Sequence, residues 1–307
     1  MNRLVEKRFH ALGRACHIVV GDLNGRGPAL LELAIGELRR IEGRLGAHRQ
    51  GSLVHAFNHS LSPSTSAAID GEVRQLLEYI SAIREKTNNV FDPSIVCVDK
   101  LWRSTAPLPP TDQAIQTALT MTGWHHVRHD GNSLRSDTSE LMLNLDSCIC
   151  PYVVDSLRRL LLREGVTSAL IDLDRDVGTI GRQPDGANWL VGIRYPHGSR
   201  TAIHRMKLNN ACYSQRGNFE RRLMINGEHF GQAFSPADGY PIPGPLSVAV
   251  AAPQALEACA AATVARFRAE QEALDWLSAL NLPWLSIDRS RGCHGPLARS
   301  AGLSSAR

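Results

Sequence analysis

The chain has 307 residues with a formal net charge of +4, and its apolar fraction of 43% is that of an ordinary globular protein. This length suffices for one large or two modest domains with a buried core. Lysine and arginine are spread along the chain rather than gathered in a stripe, which argues against a nucleic-acid-binding surface. Seven cysteines, an odd number at scattered positions, argue against a disulfide framework and favour a reducing compartment.

The N-terminal segment, MNRLVEKRFHALGRAC, lacks the apolar run of a signal peptide, and no run of about 18 apolar residues occurs elsewhere. As written, the chain is therefore expected to be cytoplasmic and to have no membrane span. No internal repeat or linker divides it, so we expect one domain over residues 1–288. Residues 289–307 lack periodicity and are expected to form a disordered tail.

The first half of the chain predicts a strand followed by helices. Residues 8–20 have the composition of a strand, in which Gly13 either lets the backbone approach a ligand closely or marks a bulge. Residues 28–45 have the apolar spacing of an amphipathic helix. Asp70 is the expected N-cap of a further helix, and Thr111 the expected N-cap of a short one.

The segment WHHVRHD, residues 124–130, contains three histidines and is predicted to be a strand. Neighbouring side chains on a strand point to opposite faces. Only one of His125 and His126 could therefore bind a metal together with His129, which makes a metal site here the weaker of two interpretations.

The central stretch, residues 143–181, changes its apolar period three times. It predicts a strand from Leu143 to Leu145, a turn, a helix with Pro151 in its first turn, and a second strand. The N-terminus of a helix presents unpaired N–H groups and the positive end of its dipole, so an anion such as a phosphate suits this turn. Further along, residues 246–252 predict a strand that leads into a helix of small residues beginning near Pro253.

Two segments, the central stretch and an earlier one around Asp92, resemble signature sequences of the FAD:protein FMN transferase (ApbE) family. The family's L-D-L-G-G-I-A-[KE]-G-Y-A-x-D and L-x-x-G-G-D-I elements are matched by Leu143, Asn144, Leu145, Tyr152, Asp155, Gly165, Leu173, Asp176 and Val177. The segment NVFDPSIVCVDKLW resembles the family's G-x-[FM]-D-[PI]-[ST]-V-x-P-L-x-x-L-W. The resemblance runs from about Phe9 to Leu280 with the order of motifs preserved. It implies an α+β, T-fold-like protein with mixed helices and antiparallel sheets in two closely packed lobes, and with a flavin site between them.

The resemblance also implies which residues contact FAD. They are Leu12, His48, Val90, Phe91, Asp92, Asn144, Cys150 and Ala233. His48 falls where the family places an aromatic residue that stacks on the flavin, and the alternative is an exposed loop histidine. Asp92 is either a turn residue that binds its own backbone before Pro93 or part of the flavin site, and the surrounding match favours the site.

The implied magnesium site combines a backbone carbonyl with two side chains four residues apart on one helix face. In this chain they are the carbonyl of Ser147, Cys259 and Thr263, and the last two are also the implied catalytic residues. The family has aspartate where this chain has Cys259. Mg²⁺ prefers oxygen ligands, so a thiol is a poor replacement for a carboxylate.

The implied reaction is the Mg²⁺-dependent transfer of FMN from FAD to a Ser/Thr hydroxyl of a flavin-accepting redox-complex subunit, with release of AMP. The chain itself would be a monomer or a homodimer. Four polar family positions are changed, at Cys150, Gln232, Ser235 and Cys259. The alternative is therefore a member with weak or absent activity that binds FAD or serves as a scaffold. An unrelated metal or thiol chemistry would depend on Cys148, Cys150 and the three histidines.

Overall fold

The computed structural model describes residues 3–22, 24–59, 66–138, 140–196, 202–217, 223–225, 228–230 and 233–300. The helices in these residues are α1 (Gly27–Leu45), α2 (Leu53–Asn58), α3 (Gly71–Lys86), α4 (Val96–Thr105), α5 (Asp112–Thr120), α6 (Asp146–Arg163), α7 (Ala255–Arg266), α8 (Glu270–Ala279) and α9 (Pro296–Ser300). The strands are β1 (Leu4–Ala11), β2 (Arg14–Gly21), β3 (Ala67–Ala68), β4 (Val127–His129), β5 (Ser133–Ser136), β6 (Ala169–Leu173), β7 (Asp176–Ile180), β8 (Trp189–Arg194), β9 (Ala202–Leu208), β10 (Cys212–Gly217), β11 (Leu223–Ile225), β12 (Glu228–Phe230), β13 (Ser247–Ala252), β14 (Trp284–Ile287) and β15 (Cys293–His294).

A large antiparallel sheet forms the centre of the fold, with strand order β1-β2-β6-β7-β10-β13-β14-β15. Helices α1, α6 and α7 pack against one face, and the β8–β9 hairpin covers the other. Strand β13 shows why both faces need a cover. Successive side chains point to opposite faces, so Val248 and Val250 join Ala262 on the helix side, while Ala249 and Ala251 join the hairpin side.

A smaller lobe is built around α4 and α5. Its core contains Val98, Trp102, Ile115 and Phe234. The indole Nε1 of Trp102 donates a hydrogen bond of 2.8 Å to the carbonyl of Gly239, which ties this lobe to the segment before β13. The predicted arrangement of mixed helices and antiparallel sheets in two packed lobes is thus observed.

Several predicted elements are confirmed where capping and apolar spacing agree. Helix α1 begins at Gly27 with a proline in its first turn. The carboxylate of Asp70 accepts hydrogen bonds from the first N–H groups of α3, and Thr111 caps α5 in the same way. The predicted strand at residues 246–252 and the small-residue helix after it correspond to β13 and α7.

The single strand predicted over residues 8–20 is wrong, because the segment is a β-hairpin. Strands β1 and β2 pair with Ala11 opposite Arg14, which leaves Leu12 and Gly13 as a two-residue turn. Their φ angles are 52° and 67°. A tight turn with both central residues at positive φ matches the twist of the flanking strands. Gly13 is therefore a turn residue and not a bulge.

The strand predicted at residues 143–145 is also corrected. The side-chain amide of Asn58 occupies both backbone groups of Leu143, accepting from its N–H at 2.7 Å and donating to its carbonyl at 2.9 Å. No neighbouring strand pairs there in the described part of the chain. Helix α6 begins at Asp146, so Pro151 lies inside the helix rather than in its first turn.

Two further expectations fail at short elements. Residues 124–126 form a 3₁₀ turn and only residues 127–129 a strand, so the predicted strand over 124–130 is too long. The expected disorder from residue 289 onward is wrong for the segment that forms β15 and α9. Strand β15 pairs with β14, and Ala298 is buried against the sheet. These elements are too short to show periodicity, and tertiary contacts order them.

Within the described residues, the structure contains no helix that is both long enough and apolar enough to cross a membrane. The same residues contain no group of three or more His, Cys, Asp or Glu side chains placed to hold a metal ion.

The carboxylate of Asp172 lies on β6 in the large sheet, and the effect of its burial on stability depends on pH. Burial raises its pKa from the ordinary 3.8 to about 6. Ionisation therefore costs stability, a cost that is absent below pH 4 and complete above pH 6. We expect Asp172→Asn to raise the free energy of unfolding by about 2 kcal/mol at pH 8 and to leave it nearly unchanged at pH 4. Urea denaturation at both pH values measures this, and an equal effect at both would contradict it.

Candidate functional site

A cavity of about 480 Å³ lies between the main core and the smaller lobe. The β1–β2 turn, the segment before α4, the start of α6, the β6–β7 turn, the end of β10 and one face of α7 all contribute to its wall. Phe91 belongs to the main core and Phe234 to the smaller one, and both line the cavity. The cavity is therefore placed where the resemblance predicts a flavin site.

Six of the eight predicted FAD-contacting residues line this cavity. They are Leu12, His48, Phe91, Asp92, Asn144 and Ala233. His48 is an exposed turn residue that lines the wall, and its stacking on the flavin stays a prediction. Val90 and Cys150 are not part of the wall. Cys150 is fully buried, and burial raises the pKa of its thiol to about 12.

The carboxylate of Asp92 holds the segment before α4 in shape. It accepts hydrogen bonds from the backbone N–H of Ser94 at 2.8 Å, from the Ser94 hydroxyl at 2.6 Å and from the N–H of Trp124 at 3.0 Å. This is the turn-forming role that an aspartate before proline commonly has. Asp92 also lines the cavity, beside Phe91, whose own N–H donates to the hydroxyl of Thr87 at 3.1 Å.

The three predicted metal-site groups come together at the junction of α6 and α7. The Sγ atom of Cys259 lies 3.5 Å from the carbonyl oxygen of Ser147 and 3.7 Å from the hydroxyl of Thr263. A helix residue normally donates to the carbonyl four positions earlier. Pro151 has no N–H and leaves the carbonyl of Ser147 without that partner. The sequence therefore makes this carbonyl available to another donor.

Arg216, at the end of β10, is that donor. Its Nη2 atom lies 3.2 Å from the Ser147 carbonyl, 2.9 Å from the Cys259 Sγ and 2.9 Å from Oδ1 of Asp176. Burial by itself lowers the pKa of Arg216, but Asp176 and Cys259 raise it by more, so the pKa is well above its ordinary value. A cationic guanidinium is thus fixed on two of the predicted metal-ligating groups.

Helix α7 is held in register with this cluster by Asp155. The two carboxylate oxygens accept hydrogen bonds of 2.9 Å from the N–H groups of Ala255 and Leu256. These are the first N–H groups of the helix, which have no partner within the helix itself. A carboxylate on α6 thereby fixes the position of Cys259 and Thr263 on α7.

Sequence comparison decides the family. A model of the ApbE family matches residues 12–285, which is most of the chain. The chain belongs to the ApbE family. Among curated relatives, the FAD:protein FMN transferase of Klebsiella pneumoniae is 26% identical over 254 residues, covering 78% of this chain and 71% of the relative. The FAD:protein FMN transferase of Escherichia coli K12 is 28% identical over 246 residues, covering 76% of this chain and 69% of the relative.

Solved structures confirm the ApbE-like α+β fold. The ApbE protein of Thermotoga maritima superposes with a TM-score of 0.82 at 23% identity, covering 99% of this chain and 100% of that chain. The flavin transferase ApbE from Vibrio cholerae gives a TM-score of 0.83 at 18% identity, with 99% and 100% covered.

The metal-site groups of this ApbE chain do not fit Mg²⁺. The ion takes hard oxygen ligands at about 2.0–2.1 Å in near-ideal octahedral geometry. Here the central position of the set is the Cys259 thiol, a soft ligand, and the guanidinium of Arg216 already contacts two of the three groups. In the adjacent carboxylate of Asp176, Oδ1 accepts from Ser214 at 2.6 Å and from Arg216. Its Oδ2 has no hydrogen-bond partner among the described residues and lies 3.9 Å from Nη1 of Arg14, a second cation.

Five arginines of the cavity wall were not predicted from the sequence. They are Arg14, Arg103, Arg175, Arg216 and Arg266. Burial, together with repulsion from Arg14 and Arg216, lowers the pKa of Arg175 to about 10. This crowding of like charge indicates a wall that favours an anion. The sequence does distinguish one of these arginines, because Arg175 stands where the ApbE signature has glycine. The Gln232 change lies outside the described residues.

Proposed function

We propose that this ApbE-family chain is an FAD:protein FMN transferase that moves FMN from FAD to a Ser/Thr hydroxyl of a flavin-accepting redox-complex subunit. The observation that carries the proposal is the arginine-lined cavity between the two lobes, in a chain whose curated relatives are named for this reaction. A diphosphate carries several negative charges, and guanidinium groups match phosphate geometry with paired N–H donors. Phe91 and His48 would contact the flavin ring and Asn144 the ribityl or phosphate side.

In the proposed reaction, the acceptor hydroxyl oxygen attacks the phosphorus nearest to the riboflavin. A new P–O bond forms as the bond from that phosphorus to the bridging oxygen breaks, and AMP leaves with the bridging oxygen. The hydroxyl proton passes to solvent, so FAD and the acceptor become flavinylated acceptor, AMP and one proton. Phosphoryl transfer of this type depends on positioning and on stabilisation of charge, and requires little covalent chemistry from the protein.

Magnesium dependence is not part of this proposal, because the donor set around Cys259 does not fit the ion. In its place, the positive charge that faces the diphosphate would come from Arg14, Arg175 and Arg216, which line the cavity.

One observation favours a second candidate, an FAD-binding protein that transfers nothing. The family's ligating aspartate is Cys259 in this chain, and its thiol is 1% exposed and engaged with Arg216. A protein that only binds FAD needs the cavity but not the correct alignment of the acceptor hydroxyl with the phosphorus.

Incubation with FAD and a flavin-accepting redox subunit that carries the Ser/Thr motif separates the two candidates. For the transferase we expect the intact mass of the acceptor to increase by one FMN group, with an equal amount of AMP released. An acceptor with valine in place of the modified residue is the control and stays unmodified. FAD retained by the chain without AMP release, across a panel of such acceptors, would support the second candidate.

A further inference from the structure

In the cluster formed by Arg216, Ser147, Cys259 and Asp176, three electron-rich groups surround one cation, the guanidinium of Arg216. The Arg216 guanidinium contacts a helix carbonyl, a thiol and a carboxylate through one nitrogen, Nη2. Its side chain is 13% exposed and the carboxylate of Asp176 is fully buried. A buried guanidinium is stable only when it is paired and hydrogen-bonded, and each of these partners meets that requirement.

Two residues and one strand pairing bring this cluster together. Pro151 frees the carbonyl of Ser147. A thiol at position 259 accepts a hydrogen bond from Arg216 and adds no second full carboxylate next to Asp176. The antiparallel pairing of β10 with β7 sets Ser214 opposite Asp176, so that Arg216 emerges beside the carboxylate that binds it.

Arg216 also has unused hydrogen-bonding capacity next to the cavity. Its Nε has no hydrogen-bond partner among the described residues, and the same holds for Nη1 of Arg14 and for Oδ2 of Asp176. Both arginine side chains line the cavity. Nη1 of Arg14 is 3.9 Å from Oδ2 of Asp176, too far for a hydrogen bond. Buried N–H donors without partners are costly, and the oxygens of a phosphate group would satisfy them.

We propose that the guanidinium of Arg216 takes the structural place of the divalent cation, so that this chain holds the diphosphate of FAD without a metal ion. This inference rests on the proposed function, because it assumes that FAD occupies the cavity. The guanidinium supplies a permanent single charge with directed donors, whereas a divalent ion supplies an exchangeable double charge. FAD affinity should therefore depend on Arg216 and not on free Mg²⁺.

Calorimetric titration of the purified chain with FAD, once in excess EDTA and once in excess MgCl₂, tests the proposal without any substitution. We expect the same Kd in both solutions. A Kd that is lower in MgCl₂ than in EDTA would overturn the inference and leave the proposed function standing. No FAD binding in either solution would overturn the proposed function together with this inference.

Substitutions test the role of the arginine itself. Arg216→Gln should weaken FAD binding in EDTA by about 10- to 100-fold, the range for loss of charge-assisted hydrogen bonds. Arg128→Gln removes the same charge from an exposed pair outside the cavity and should leave the Kd unchanged. A folded Arg216→Gln protein, checked by circular dichroism, that binds FAD as tightly as the unsubstituted chain would contradict the proposal.

A double substitution, Arg216→Ser with Cys259→Asp, asks whether a metal site can be restored. It removes the guanidinium and supplies the carboxylate that Mg²⁺ prefers. We expect FAD binding by this variant to be weak in EDTA and to tighten by at least tenfold in MgCl₂. Binding that is equally tight in both solutions would show that the cation position is not what limits the affinity, and would overturn the proposal.

Discussion

Asp176→Asn is expected to lower the free energy of unfolding by about 3 to 5 kcal/mol, the usual cost of removing one partner from a buried ion pair. Oδ1 of Asp176 accepts from Nη2 of Arg216 at 2.9 Å and from the hydroxyl of Ser214 at 2.6 Å. The carboxylate is fully buried, so its neutralisation leaves the buried guanidinium of Arg216 without its ionic partner. Chemical denaturation at neutral pH measures the loss.

The matched control is Asp137→Asn. Asp137 and Arg128 also form an ion pair, with a nitrogen–oxygen distance of 2.7 Å, but their side chains are 43% and 55% exposed. Exposed pairs contribute at most about 1 kcal/mol. If the two substitutions cost the same, the special role assigned to the buried Asp176 would be contradicted.

Asp155→Ala is expected to cost about 3 kcal/mol and to detach the start of α7 from α6. The substitution leaves the N–H groups of Ala255 and Leu256 without their buried acceptor. Because α7 carries Cys259 and Thr263, we also expect faster hydrogen exchange in its first turn. Asp155→Asn keeps one acceptor oxygen and should have an intermediate effect.

The loss of stability in Asp155→Ala is compared with the loss in Asp70→Ala. The carboxylate of Asp70 also accepts from two N–H groups at the start of a helix, at 3.0 and 3.1 Å, and it pairs with Arg44 of α1, but it lies in an exposed position. An exposed N-cap with a surface ion pair contributes about 1 to 2 kcal/mol. Equal losses for Asp70→Ala and Asp155→Ala would indicate that Asp155 is a local cap and does not join the two helices.

The sequence predicted those elements whose signals are local. Helices α1 and α3 combine apolar spacing with an N-terminal proline or a capping aspartate, and both appear within one residue of the expected start. The β1–β2 hairpin was missed because Leu12 at positive φ is an unusual turn residue. The Leu143 segment has the alternation of a strand, yet the amide of Asn58, distant in sequence, takes the place of a partner strand.

The site was predictable as a location and less so as chemistry. Matches to the family signatures placed Phe91, Asp92 and Asn144 in one cavity wall, although they are far apart in the chain. The contacts of Arg216 could not be predicted, because they depend on a proline on α6, a thiol on α7 and a carboxylate on β7 meeting in space. An arginine two residues after Ser214 has no local signature that distinguishes it from a surface residue.

A crystal structure of the chain with FAD, grown in EDTA, tests most directly whether the cavity holds FAD without a metal ion. We expect FAD in the cavity between the lobes, with the flavin ring beside Phe91 and diphosphate oxygens within hydrogen-bond distance of the Arg216 guanidinium. FAD bound elsewhere on the chain, or a cavity that stays without FAD at saturating concentration, would contradict it.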